Sequence, residues 1–184
     1  MRQLEQVKQL TVNSKAAIWQ KAQSAGRDVK LYLHWSAGHY GQFFDDYHIN
    51  IDYDGSIYVS TDDFAEIKAH TWRRNTGAIG IALACCYKAN TNDFGPEPPT
   101  EQQIEAMARI VAVLCKTLDL TIDVERVMTH AEAADLDDYG PATTCERWDL
   151  WFLPGTAKGD GGKLLRGKAV EYQQKSGDSS LTSI

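Results

Sequence analysis

The sequence predicts a single α/β domain in which a central mixed β-sheet is flanked by α-helices. Three observations carry that expectation. Short apolar runs with strand character, Leu31-Tyr32-Leu33 and Ala78 to Cys86, alternate with longer segments of helical spacing. Asp54-Gly55 lies between two short apolar stretches and reads as a hairpin turn, which puts an antiparallel pair into the sheet. The length of 184 residues, with 43% apolar and 24% charged residues, suits one soluble domain with its own core.

Each element has a local reason. Residues 3–25 carry Leu4, Val7, Leu10, Ala16, Ile18, Trp19 and Ala22 at helical spacing, and Asn13-Ser14 marks a point where this helix can break in two. Asp28 to Trp35 reads as a buried strand ending at His34, followed by a Gly- and Asp-bearing loop over 36–46. Tyr47 to Ile51 and Ser56 to Ser60 are the two arms of the hairpin. Ala78 to Cys86 is a second, central strand, and residues 88–99 form a polar loop with Pro96, Pro98 and Pro99.

Thr100-Glu101-Gln102-Gln103 is a capping box. It opens a helix with Ile104, Met107, Ala108, Val111, Leu114, Cys115 and Leu118 on one face. Glu125 to Thr129 reads as a short strand leading to His130, residues 131–147 as a long loop, and Trp148 to Leu153 as a last short helix or turn. The domain is expected over residues 1–175, with 155–175 as a C-terminal extension. The small polar residues 176–184 are expected to be a flexible tail.

Bulk properties exclude some functions. The net charge of −6 argues against nucleic acid as a partner, because phosphate binding needs a basic surface. No apolar run approaches the roughly 18 residues that would predict membrane insertion. The first residues lack the apolar centre of a signal peptide, so the expectation is synthesis in the cytoplasm without a secretion address. Cys85, Cys86, Cys115 and Cys145 are accordingly expected as thiols, with Cys85 and Cys86 in the core.

Of the five histidines, His34 and His130 stand directly after apolar strands, in Leu31-Tyr32-Leu33-His34 and Val127-Met128-Thr129-His130. Strand ends share a rim of the sheet, so these two imidazoles can meet. Hydrolytic zinc needs three protein ligands and one open position. Two neutral imidazoles and one carboxylate leave the site positive, which suits polarisation of a carbonyl. The segment after His130 offers Glu132, Asp135, Asp137, Asp138, Cys145, Glu146 and Asp149 as the third ligand, and spacing does not choose among them.

In this order of landmarks the sequence resembles the zinc-dependent N-acetylmuramoyl-L-alanine amidases of the amidase-2 type, related to phage lysozyme-amidases and peptidoglycan recognition proteins. The resemblance runs from about residue 30 to 153. It rests on Leu33-His34-Trp35-Ser36, the Tyr47-His48 hairpin with Asp54-Gly55, and His70-Thr71-Trp72 with Asn75 before Ala78-Ile79-Gly80-Ile81. It continues through the Pro99-Thr100-Glu101-Gln102 helix start, Thr129-His130-Ala131-Glu132, and Arg147-Trp148-Asp149.

The resemblance implies a peptidoglycan recognition protein-like fold and one Zn2+ ion held by His34, His130 and Asp149. It also implies a hydrolase that cuts the amide bond between N-acetylmuramic acid and L-alanine. Carried over by position, Tyr47 and Arg147 are catalytic candidates, Glu132 is a carboxylate that orients a ligand or water, and His70, Trp72 and Asn75 line the substrate groove. Asp138 and Cys145 remain rivals for the third ligand, because the interval between His130 and Asp149 is longer than the family's usual one. Ala82 stands where many members have Glu, which leaves the general base open among Tyr47, Glu132 and zinc-bound hydroxide. The partner implied is bacterial peptidoglycan, met in the cell wall or periplasm after release. One route is a bacteriolytic phage or prophage endolysin released through a holin; another is a secreted antibacterial effector paired with an immunity protein. A non-catalytic recognition domain is the alternative.

Overall fold

A computed structural model describes residues 3–178. The elements are α1 (Leu4–Ser24), β1 (Lys30–Trp35), β2 (Ile49–Ile51), β3 (Ile57–Val59), β4 (Ala78–Leu83), α2 (Glu101–Leu118), β5 (Val127–Thr129), α3 (His130–Leu136) and α4 (Gly161–Asp178). Five strands form one mixed sheet in the order β3-β2-β4-β1-β5. β1 runs parallel to both β4 and β5, β2 runs parallel to β4, and only the hairpin partner β3 is antiparallel. The α/β expectation therefore holds, with β1 and β4 at the centre.

Alternation along these two strands divides the sheet into a packed face and a working face. Leu31, Leu33 and Trp35 of β1 and Ile79, Ile81 and Leu83 of β4 join Ile18 of α1, Met107, Ile110 and Leu114 of α2, and Leu165 of α4 in one apolar cluster. The intervening residues point the other way. On β1 these are Tyr32 and His34; on β4 they are Ala78, Gly80 and Ala82. Ala82 lies opposite His34 in the parallel register. Large residues build the core on one face, and small ones on β4 leave room on the other.

Several boundaries differ from the sequence expectation, each for a visible reason. α1 is not broken at Asn13-Ser14: the Ser14 hydroxyl is buried and accepts a hydrogen bond from the Phe64 N–H at 2.9 Å. The residue that looked like a breaker ties the helix to a distant loop. Residues 131–147 are not all loop, because α3 begins at His130. Thr129 and Glu132 form its capping box, so the strand-to-His130 segment carried a helix signal as well. Of the two forms expected for Trp148 to Leu153, helix or turn, the chain takes the turn.

The expected extension over 155–175 contains α4, which packs against α2. The Lys168 ammonium and the Tyr172 hydroxyl both meet the Glu105 carboxylate, and Gln173 Nε2 donates to the Ala112 carbonyl at 3.0 Å. Residues 176–178 of the expected tail are the end of this helix, and 179–184 lie outside the described residues.

Candidate active site

Three chain segments deliver the central cluster. β1 presents His34 on the working face, the first residue of α3 is His130, and a turn after the long loop presents Asp149. The Ala131 N–H donates to the Asp149 carbonyl at 3.2 Å and fastens that turn to the start of α3. The Asp149 carboxylate lies between the two rings. His34 Nδ1 is 2.9 Å from Oδ2, and His130 Nδ1 is 3.0 Å from Oδ1. One ligand atom from each residue lies within 4.8 Å of the others, and all three residues are buried.

Electrostatics hold the carboxylate ionised and disfavour a charged His34 ring. Burial alone would raise the Asp149 carboxyl, but the His130 imidazole and hydrogen bonds from both rings hold it well below the usual carboxylate range. Burial lowers His34, against the pull of Asp149, and so favours a neutral ring. Two imidazole nitrogens and one carboxylate oxygen at this spacing fit a catalytic zinc, for which sets of two histidines and one carboxylate are known. The other candidates stand apart. Asp138 is exposed and Cys145 is half-buried, and neither belongs to the cluster.

Around the cluster runs a groove. One part, of about 500 Å³, is lined by Trp35, Asp46, Tyr47, Trp148 and Asp149. An adjoining part, of about 600 Å³, is lined by Trp72, Asn75, Asp137, Asp138 and Tyr139. Ala69, His70, His130, Glu146 and Arg147 border both.

The Tyr47 ring is 5.0 Å from that of His34, and burial raises its phenol well above the usual value, so it keeps its proton. Arg147 is an exposed cation on the groove wall whose Nη1 donates to the Glu146 carbonyl at 3.0 Å. Trp72 is 55% exposed and edge-on to Tyr139, with the Arg73 guanidinium 4.2 Å over its ring. Asn75 borders the groove but its Oδ1 is engaged, accepting from the backbone N–H groups of His70 and Thr71 at 3.2 and 2.8 Å.

His70 is buried against β4, and burial together with His34 and His48 pushes its pKa well down. A Cβ on Gly80 would come within 2.5 Å of the His70 ring, so this glycine is what seats it. His48 makes structural bonds only. Its Nδ1 accepts from the Gly80 N–H at 3.0 Å, and its Nε2 donates to the Glu66 carbonyl at 2.7 Å. His39 is exposed and pairs with Glu97 at 2.7 Å, away from the cluster.

Glu132 is not brought to the site. Arg166 of α4 grips both its oxygens at 2.8 Å, and one of them also accepts from the Thr129 N–H at 2.9 Å. A carboxylate two residues after a ligand histidine looks like part of the chemistry in sequence; in space it caps α3 and ties it to α4.

Two neighbours of the cluster escaped sequence reasoning. The Thr71 hydroxyl lies 3.3 Å from His34 Nε2, and the Tyr139 hydroxyl lies 3.3 Å from His130 Nε2. Thr71 gave no signal. Tyr139 sat in a segment noticed only for its carboxylates, and that segment is anchored by Arg74, which donates to Asp137 at 2.7 and 3.0 Å.

The family model described as N-acetylmuramoyl-L-alanine amidase (Amidase_2) matches residues 5–148. No curated protein matches the chain. Among solved structures, the chain is similar to the N-acetylmuramoyl-L-alanine amidase LysC from Clostridium intestinale URNW, at 20% identity over 57% of this chain and 71% of that one, with a TM-score of 0.42. It is similar to the Ph2119 endolysin from Thermus scotoductus bacteriophage Ph2119, at 16% identity over 77% and 84%, with a TM-score of 0.48. It is also similar to Drosophila PGRP-LB, at 17% identity over 65% and 84%, with a TM-score of 0.41.

Proposed function

The chain belongs to the Amidase_2 family of N-acetylmuramoyl-L-alanine amidases, and on that premise we propose that it is a one-zinc enzyme with His34, His130 and Asp149 as its metal ligands. The observation that carries this reading is the buried convergence of two imidazoles on one ionised carboxylate beside an open groove. When bound there, zinc supplies a Lewis acid for the scissile carbonyl and lowers the pKa of a coordinated water towards about 7. The substrate is peptidoglycan, cut between N-acetylmuramic acid and the L-alanine of the stem peptide.

The chain's own residues take the remaining roles. His34, His130 and Asp149 hold a fixed donor set from three different segments. Tyr47 keeps its phenolic proton and donates a hydrogen bond to the oxyanion that develops on the carbonyl. Arg147 adds a permanent positive charge at the groove wall. Trp72 packs on sugar or peptide at the outer end of the groove, and His70 and Asn75 shape its floor. Ala82, beside His34 in the sheet, offers no carboxylate, and Glu132 is committed to Arg166, so neither serves as general base.

The biological setting we propose is bacteriolysis by a phage or prophage endolysin made in the cytoplasm. A holin would release it to the cell wall, and the effect on the bacterium is antimicrobial. A secreted effector would require an immunity protein instead. Among the described residues no helix is long and apolar enough to cross a membrane. A recognition domain without catalysis would have no need of the complete donor set.

The test is elemental analysis of the purified chain. One zinc per chain is expected, lost in His34→Ala and retained in Asp138→Ala and Cys145→Ala. A chain that holds no zinc after purification and zinc dialysis overturns the reading. Loss of zinc in Asp138→Ala, with Asp149→Ala unaffected, moves the third ligand into the long loop.

A further inference from the structure

We propose that Thr71 is a positioning residue for the metal site: its buried hydroxyl holds the far nitrogen of His34 and so fixes the ring in the orientation that binds metal. The inference rests on the zinc reading above and concerns a residue that touches neither metal nor substrate.

The argument begins with hydrogen-bond capacity. A hydroxyl has one proton to donate and two lone pairs with which to accept. Thr71 Oγ1 lies 3.3 Å from His34 Nε2 and 2.9 Å from His70 Nδ1. His34 turns its Nδ1 towards Asp149; with a metal ion held at Nδ1, the neutral ring would carry its proton on Nε2 and donate it to Thr71 Oγ1. The Thr71 proton would then be free for His70 Nδ1; without metal, the same hydroxyl can donate to His34 Nε2 while His34 Nδ1–H donates to the Asp149 carboxylate.

The backbone holds the hydroxyl in place. Asn75 Oδ1 accepts from the N–H groups of both His70 and Thr71, and the Thr71 carbonyl accepts from the Arg74 N–H at 2.9 Å. Gly80 gives His70 the space to meet Thr71 from the sheet side.

Burial decides how much this matters. His34 is 0% and Thr71 1% exposed, so water cannot replace a lost hydroxyl. Without it Nε2 is left buried and unpaired, and the ring loses the contact that orients it for metal. The other ligand provides an internal contrast. His130 Nε2 meets the Tyr139 hydroxyl at the same 3.3 Å, but Tyr139 is only half-buried and borders the open groove. Water can take its place there.

The experiment measures zinc affinity of the full chain by competition with a chelator of known strength, with the melting temperature of the metal-free protein as a check on folding. Thr71→Val removes the hydroxyl at nearly constant shape and is expected to weaken zinc binding roughly 10–100-fold, the usual effect of deleting a hydrogen-bond partner of a ligand histidine. Thr71→Ser restores the hydroxyl and is expected to return affinity to within about threefold of the parent, and Tyr139→Phe is expected to stay within about the same range. Thr71→Ala must show the same loss as Thr71→Val, which keeps the test independent of how well valine is accommodated. Unchanged affinity in Thr71→Val, or a Thr71→Ser variant as weak as Thr71→Val, overturns the proposal. Failure of the parent chain itself to bind zinc is a different result and overturns the metal reading instead.

Discussion

Asp149→Ala is expected to abolish zinc retention and to lower amide hydrolysis on the order of a thousandfold. The size follows from two facts. A bound metal contributes several kcal/mol of charge stabilisation in the transition state, and each 1.36 kcal/mol is worth a factor of ten. Asp149 is also the only anionic member of the donor set, and it meets both imidazoles, at 2.9 and 3.0 Å. Removing it takes away a ligand and leaves two buried rings facing each other. Asp149→Asn retains the shape and one oxygen but not the charge, and should fall between the parent and Asp149→Ala in zinc affinity. The measurements are zinc content and initial rate on purified wall. A variant that keeps full zinc and full rate would show that the carboxylate is only a structural partner of the histidines.

Gly80→Ala is expected to be the most damaging single-methyl change on the sheet. The added Cβ would stand 2.5 Å from His70 Cγ and 2.6 Å from Cδ2, closer than carbon atoms can pack. His70 has little room to retreat, because it is buried, has the His48 ring 5.6 Å away, and is bonded to Thr71. Overpacking of this kind costs about 1–3 kcal/mol, a drop of several degrees in melting temperature for a chain of this size. The displacement also reaches His34 through Thr71, and a shift approaching 1 Å at a catalytic centre costs roughly a hundredfold in rate. Gly167→Ala is the control. It lies within α4, its Cβ would meet nothing within 4 Å, and it should be neutral or stabilising by up to about 1 kcal/mol. Similar melting temperatures and rates for the two variants would contradict the account of how β4 seats His70.

The parts of the fold that were legible in the sequence are those with a local cause. Short continuous apolar runs mark β1 and β4, Asp54-Gly55 marks the hairpin, and the Thr100 capping box marks α2. What sequence reasoning missed depends on partners far along the chain. Ser14 continues a helix because Phe64 uses its hydroxyl. α4 has several glycines and few apolar residues, a weak helical signal, and it is held instead by contacts to α2 such as Lys168 and Tyr172 on Glu105.

The site divides in the same way. His34 and His130 were readable from their positions after apolar strands. The preference for Asp149 over Asp138 and Cys145 came from family resemblance, and proximity now supports it independently. Glu132 illustrates the opposite case. Its spacing from His130 suggested chemistry, while Arg166, 34 residues further on, claims both its oxygens. Thr71 and Tyr139 are invisible to motif reasoning because neither residue type carries a metal-ligand signal; only the positions of their hydroxyls beside the far imidazole nitrogens give them a role.

The most direct test of the central claim is to incubate purified peptidoglycan with the chain and identify the new ends, with and without a chelator and after zinc is returned. The account predicts new N-terminal alanine that disappears with the chelator and reappears with zinc. New reducing sugar ends, or alanine release that persists at full rate without metal, would contradict it.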